Sequence, residues 1–394
     1  MANSENPLRE RIARELRERR ENGLFRTLEQ PQGISLFSND YLGLASDPRL
    51  REETIRAIRE SGRVGSGGSR LLGGNSEDWE RAEAEFAAFA GTEAAIYFSS
   101  GYAANLGLLA AVARPGDVVF SDSLNHASLI DGIRLSGVRK IIYPHGDFVR
   151  LEAELERHGD ERGAKFIVTE TLFSMEGDFA PVGDLASLAR RYGAELIVDE
   201  AHAVGVFGPE GRGIAAAAAT ENEALAVVHT CGKALGSAGA FVCSNRVLKE
   251  YLVNRARTFV FSTAAPPYLA HQIRAAVRLA RGMDAERARL AELARVLREG
   301  LRGEGFGVGT GASQIVPLFA GTNERALSWA ESLQEEGFAV RAIRPPTVPE
   351  GTARLRFSLT AALTRDQIEH LIAACVNARR RASTGSACSA ASGG

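Results

Sequence analysis

The chain of 394 residues carries 47 basic side chains, yet only four are lysine (Lys140, Lys165, Lys233, Lys249) and the remaining 43 are arginine. One lysine stands in a setting unlike a solvated surface. Lys233 lies in His229-Thr230-Cys231-Gly232-Lys233-Ala234-Leu235-Gly236, directly after the apolar run Ala226-Val227-Val228. An amine between an apolar strand and glycine-rich turns is desolvated, which lowers its pKa and frees the lone pair for Schiff-base chemistry. Upstream, Val198-Asp199-Glu200-Ala201-His202 ends another apolar strand in acid, acid, small residue and histidine. Ligands of open α/β sheets bind beyond the carboxyl ends of the strands, so these side chains fall where chemistry is expected. Lysine and carboxylate together are what a pyridoxal cofactor requires: the aldehyde takes the amine, and the pyridine nitrogen takes the carboxylate.

Two further segments add to this set. Ser99-Ser100-Gly101-Tyr102-Ala103-Ala104-Asn105 opens a helix with small residues, leaving N–H groups at its positive end for a phosphate. Asn125-His126-Ala127-Ser128 places a histidine at another helix start, just beyond the strand expected at 118–121. Other chemistries lack their parts. The letters Asp-Glu-Ala-His also spell an ATPase box, but the G-x-x-x-x-G-K-[ST] phosphate loop is missing and Gly232-Lys233 is followed by alanine. Cys231, Cys243, Cys375 and Cys388 do not cluster with histidines at metal-ligand spacing, so no metal is expected. Cys231 and Cys243 read as small core residues. There is no G-x-S-x-G elbow, and the glycines of Gly65–Arg70 follow a helical pattern where a dinucleotide loop would follow a strand.

These segments must be positioned by alternating strands and helices. Strands are expected at 118–121, 140–144, 164–170, 195–199, 226–230 and 239–244, with helices at 48–61, 76–90, 102–113, 126–136, 148–158 and 184–192. Fully apolar strands such as Phe166-Ile167-Val168 and Leu196-Ile197-Val198 indicate a mostly parallel sheet covered on both faces, an α/β fold. A helix over 5–22 and a strand at 33–37 precede this region. After Pro266-Pro267 the pattern changes to a long helical stretch, 267–303, interrupted at Gly282. Strands at 314–319, 338–343 and 354–359 follow, interleaved with helices at 324–336 and 365–380. The expected divisions are an N-terminal helix and arm (1–45), a large α/β domain (46–265), a smaller C-terminal α+β domain (266–381) and a disordered tail (382–394).

Composition agrees with a soluble enzyme. A net charge of −2 removes the field that drives nucleic-acid or acidic-membrane binding. No run of about 18 apolar residues suggests a membrane span, and the cysteine pattern suits a reducing cytoplasm.

Taken together, the stretches SNDYLGLASDPRL, GSGGSRLLGGN, FSSGYAANLG, LNHASLIDG, TETLFSMEGDFAP, VDEAHAVGVFGPEGRG, TCGKALGSAGAF and RTFVFSTAAPP resemble, in order across residues 8–380, the α-oxoamine synthase family of fold-type-I pyridoxal-phosphate enzymes. The run AIRPPTVPEGTARLRFSLTAA is most similar to the branch that joins L-alanine to a pimeloyl thioester carried by coenzyme A or a carrier protein. The resemblance implies pyridoxal 5'-phosphate bound to Lys233, with the same lysine moving the α-proton. It implies that Asp199 pairs with the pyridinium nitrogen, His202 meets the ring oxygen, and His126 stacks on the ring. Gly101 and Tyr102 would meet the cofactor through the backbone, and Ser174 and Thr230 through hydroxyls. On the substrate side, Arg356 would grip the amino-acid carboxylate, with Asn39 beside it. Arg26 and Thr347 would line the acyl entrance, and Arg344 would meet a distal carboxylate. A homodimer is implied, with the 62–75 segment contributing to the partner's site. Glycine-using relatives are the alternative reading. Cys231 departs from the family pattern, which has a larger apolar residue there, so modest repacking is expected around it.

Overall fold

The computed structural model describes residues 6–28, 30 and 32–391, with the side chains of 383–391 left out of that description. Seven strands form its central sheet: β1 (Ala94–Phe98), β2 (Val118–Asp122), β3 (Arg139–Tyr143), β4 (Lys165–Glu170), β5 (Ala194–Asp199), β6 (Ala226–Thr230) and β7 (Ala240–Ser244). Across the sheet they run β1-β7-β6-β5-β4-β2-β3. Only β7 is antiparallel to its neighbours; every other pairing in this sheet is parallel. Alternate residues of a strand point to opposite faces, so a strand covered on both sides must be apolar throughout. Phe166, Val168 and Ile197 accordingly pack into one core cluster, while Ile167, Leu196 and Val198 pack into another. Strand β1, which reads in the sequence only as an apolar lead-in to a helix, is an edge strand. Its partner β7 lies far along the chain, so no local signal marks the pairing.

The stretch expected to be helical over 267–303 is two helices, Pro267–Arg281 and Asp284–Gly303, parted at Gly282. Beyond them β8 (Ile315–Gly321), β9 (Ala342–Ile343) and β10 (Ala353–Ser358) form an antiparallel sheet in the order β9-β10-β8. The single strand expected over 338–343 is split between two sheets. Ala342–Ile343 joins β10, whereas Phe338–Ala339 pairs in parallel with Ile34–Ser35 of the N-terminal arm. That second pairing threads the arm along β10: Ser358 N–H donates to Leu36 O and Ala361 N–H to Tyr41 O, both at 2.8 Å. The final helix, Arg365–Ala391, continues past Ala382, where composition suggested disorder. Alanine is the strongest helix former and recurs there without a proline; residues 392–394 lie outside the described residues.

One ion-pair group fixes the hairpin that carries Ser174. His145 Nδ1 lies 3.1 Å from Asp122, and its Nε2 lies 3.0 Å from Asp178. Burial opposes the charge on this imidazole, but the hydrogen bonds and charges of the two carboxylates prevail and push its pKa up to about 10. A folded-state pKa above the free value of ~6.5 contributes stability fully below that pH, and the contribution is lost as pH rises through about 10. His145→Asn should therefore destabilise the fold by about 2 kcal/mol near pH 6, the scale of hydrogen bonds to charged groups. Thermal unfolding of both proteins should show the gap closing towards pH 10; a gap independent of pH would refute this role.

Candidate active site

The chemistry-bearing side chains collect at the carboxyl ends of the central strands. Glu170, Asp199 and Thr230 are the last residues of the adjacent strands β4, β5 and β6. Lys233 follows on a tight turn closed by Gly236 N–H to Lys233 O and Ser237 N–H to Cys231 O, each 2.9 Å. Gly236 has φ 54°, and a Cβ there would come within 2.4 Å of Ala45 N. The lysine turn thus packs directly against the N-terminal arm, and only glycine permits that approach. Cys231 is buried in the core beneath this turn.

The Lys233 amine is partly covered, and Nζ lies 2.6 Å from His202 Nε2. Burial pulls its pKa down to about 8, with Asp199 and Glu170 resisting and Arg356 assisting. His202 in turn meets Tyr41 through Nδ1 at 2.5 Å. Burial, followed by the charges of Lys233 and Arg356, keeps His202 far below its ordinary pKa and therefore neutral. Gln314 Nε2 anchors the histidine backbone by donating to His202 O at 3.0 Å.

Asp199 is held from two sides. Asn105 Nδ2 donates to Oδ2 at 2.6 Å, and the Ala201 N–H donates to Oδ1 at 2.8 Å. Asn105 Nδ2 also reaches Ser128 Oγ at 2.9 Å, and Ser128 Oγ lies 2.8 Å from His126 Nδ1. His126 is the N-cap of helix Ala127–Ser136, accepting from Ser128 N–H, so the helix start sets its ring. Burial lowers its pKa more than the nearby Asp199 raises it. Glu170, paired in register with Asp199, is fully buried; desolvation and then the Asp199 charge hold its proton well above the usual carboxylate range. Two acids thus sit side by side at the strand ends.

The remaining expected residues fall into two groups. Ser100 caps helix Gly101–Val112 by accepting from Ala103 N–H, which leaves the first N–H groups, of Gly101 and Tyr102, without an intrahelical carbonyl. Gly101 lies against Thr230, whose hydroxyl donates to Gly239 O at 3.2 Å, and the Tyr102 ring stands edge-on to His126 with centroids 6.5 Å apart. Arg356, buried on β10, donates from Nε to Ser174 O and from Nη2 to Asn39 Oδ1 at 3.1 Å. Arg354, on the same strand face, is instead paired with Glu176 at 3.0 Å. Arg26, Arg344 and Thr347 form a second group. Arg26 Nη2 donates to Thr347 Oγ1 at 3.3 Å, Arg344 donates to Gly23 O, and all three line a cleft of about 650 Å³. Among the described contacts, no hydrogen bond joins this cleft to the Lys233 cluster.

Sequence reasoning overlooked Tyr41, Asn105, Ser128 and Glu170. Asn105 and Glu170 were detectable, since one is a buried amide in the otherwise apolar helix AANLGLL and the other an acid ending an apolar strand like that of Asp199. Tyr41 and Ser128 carry no local signal.

These residues fit a pyridoxal-type cofactor. Among the described residues, Lys233 has one polar side-chain partner, the neutral His202, and the buried Asn105 Oδ1 has none. A free amine, a braced carboxylate and a helix start with open N–H groups supply what the aldehyde, ring nitrogen and phosphate need. The model for aminotransferase class I and II matches residues 31–374. An 8-amino-7-oxononanoate synthase of Burkholderia cenocepacia (strain HI2424) is 46% identical over 89% of this chain and 87% of its own. One from Geobacter sulfurreducens is 44% identical over 92% and 96%. A serine palmitoyltransferase structure from S. paucimobilis, with PLP bound, superposes with a TM-score of 0.88 at 31% identity, covering 96% of this chain and all of that one. By fold, site and likeness, the chain belongs to the aminotransferase class I and II family, in the branch of the 8-amino-7-oxononanoate synthases.

Proposed function

We propose that the protein condenses L-alanine with a pimeloyl thioester, releasing CO2 and the carrier thiol and giving 8-amino-7-oxononanoate for biotin biosynthesis. The observation that carries this reading is the convergence of Lys233, His202 and Asp199 with Arg356 and Asn39, in a chain 46% identical to a named synthase. Pyridoxal phosphate, when bound, supplies the electron sink that stabilises a carbanion at the amino acid's α-carbon.

The chain's own residues do the rest. Lys233, with its pKa lowered to about 8 by burial, is available both to hold the cofactor's aldehyde carbon and to take and return the α-proton. Asp199, braced by Asn105, is assigned to the ring nitrogen, and His126, joined to Asn105 through Ser128, is assigned to cover the ring. Arg356 and Asn39, bonded to each other, are assigned to the amino-acid carboxylate, and a guanidinium suits a bidentate grip. The Arg26, Thr347 and Arg344 cleft is assigned to the acyl chain and its distal carboxylate. Burial, then the Arg26 charge, lowers the Arg344 pKa, so an anion there would relieve repulsion between two guanidinium groups. A homodimer is supported by Leu71 and Leu72, 51% and 84% exposed on the 62–75 segment.

Purified protein with added PLP should turn over L-alanine with pimeloyl-CoA or a pimeloyl carrier protein, with product identified by mass. Alanine should exceed glycine by about 10–200-fold, the range one methyl can provide. Turnover of glycine with acetyl-CoA and none with a pimeloyl donor would replace this reading with that of a glycine-using relative.

A further inference from the structure

An unbroken chain of hydrogen bonds runs from Lys233 to Arg356. Lys233 Nζ is 2.6 Å from His202 Nε2, and His202 Nδ1 is 2.5 Å from Tyr41 Oη. Tyr41 Oη is 3.0 Å from Asn39 Oδ1, which is 3.1 Å from Arg356 Nη2. Both ends have a fixed polarity. A guanidinium only donates, so the Asn39 atom facing Arg356 is the amide oxygen, which also accepts from Ser358 Oγ at 3.2 Å. At the other end Lys233, protonated below its pKa of about 8, has no lone pair and can only donate to Nε2. A neutral imidazole has one donor and one acceptor. With Nε2 accepting, Nδ1 carries the proton and donates a hydrogen bond to Tyr41 Oη, whose own hydroxyl donates to Asn39 Oδ1. Tyr41 is fully buried, and desolvation raises its pKa despite the opposing charge of Arg356, so it keeps the single proton on which this arrangement depends.

We infer that Tyr41 is a positioning residue whose hydroxyl stabilises the His202 tautomer demanded by the group facing Nε2, accepting from Nδ1 opposite the lysine and turning to donate to Nδ1, with the tautomer reversed, when that group becomes the ionised phenolic oxygen of bound cofactor. An amine donates to Nε2, whereas an ionised oxygen requires Nε2 to donate. A hydroxyl can meet both demands because it donates or accepts. Turned from Asn39 to Nδ1, it leaves Asn39 Oδ1 with Arg356 and Ser358 as partners. Gln314 holds the His202 backbone throughout, so only protons move. The reversal rests on the proposed contact between His202 and the cofactor's ring oxygen; the starting tautomer does not.

The test is 15N NMR of histidine-labelled protein, stripped of cofactor and then reloaded with PLP, with the His202 signals assigned from His202→Gln. Wild-type protein should show Nδ1–H without PLP and Nε2–H with it. Tyr41→Phe, which keeps the ring and removes the hydroxyl, takes away the partner of Nδ1–H and should shift the cofactor-free ratio towards Nε2–H while leaving Nε2–H in the loaded protein. The tautomer ratio of the cofactor-free protein should move by about tenfold, the worth of one net buried hydrogen bond. Nε2–H in cofactor-free wild type overturns the inference without any variant, as does a tautomer ratio unchanged in Tyr41→Phe. PLP absorbance that develops without a tautomer change overturns the reversal. Failure of that absorbance to develop overturns the proposed function and the reversal with it, and the starting tautomer is then judged from its own signal.

Discussion

Lys233→Ala should fold normally and lose at least about 10³-fold in condensation rate, within the range attributed to a positioned general base. The fold should survive because, among the described contacts, the amine makes no direct ion pair with a carboxylate: its polar side-chain partner is His202, whose neutral imidazole remains. The loss should be large because one nitrogen has two tasks, attachment of the cofactor and movement of the α-proton. Borohydride should fix PLP to wild-type protein, and proteolysis should then release a labelled peptide containing Lys233, whereas the variant should give none. A small exogenous amine should restore part of the rate by replacing the missing base. A variant within tenfold of wild type would place the proton transfer elsewhere.

Asp199→Asn should cost about 10²–10³-fold in rate, comparable to removing one preorganised electrostatic contact in an active site. The substitution keeps the shape and removes the charge, and it turns one of the two oxygens that accept from Asn105 and Ala201 into an amide donor. A second readout needs no substrate. Burial pulls the Lys233 pKa down, and Asp199 is the foremost charge holding it up. Without that charge the amine should titrate below about 8 in cofactor-free protein, measurable by the pH dependence of lysine modification. An unchanged Lys233 titration together with an unchanged rate would show that Asp199 does not face the reacting centre.

Much of this site was legible in the residues themselves. Lys233, Asp199 and His202 announce themselves because each ends or follows an apolar strand, and strand ends converge in a parallel sheet. His126 was found by the same positional logic. Asn39 and Arg356 were found by resemblance, and residue chemistry alone did not separate Arg356 from Arg354 two positions away. In the structure Arg354 is engaged by Glu176, whereas Arg356 reaches Asn39.

Local pattern therefore determined the strands, their burial and the residue types at their ends, because a strand covered on both faces has to be apolar over its whole length. It also located the interruption at Gly282. It did not determine which distant segments meet. The splitting of 338–343 between two sheets, the pairing of β1 with β7 and the threading of the N-terminal arm along β10 are long-range matters. Tyr41 shows the consequence. In the sequence it is one aromatic in a turn-like run, and only the parallel pairing of Ile34–Ser35 with Phe338–Ala339 carries it to His202. Hydrogen bonds between segments hundreds of residues apart leave no periodicity to read, so the proton chain from Lys233 to Arg356 exists only in the tertiary fold.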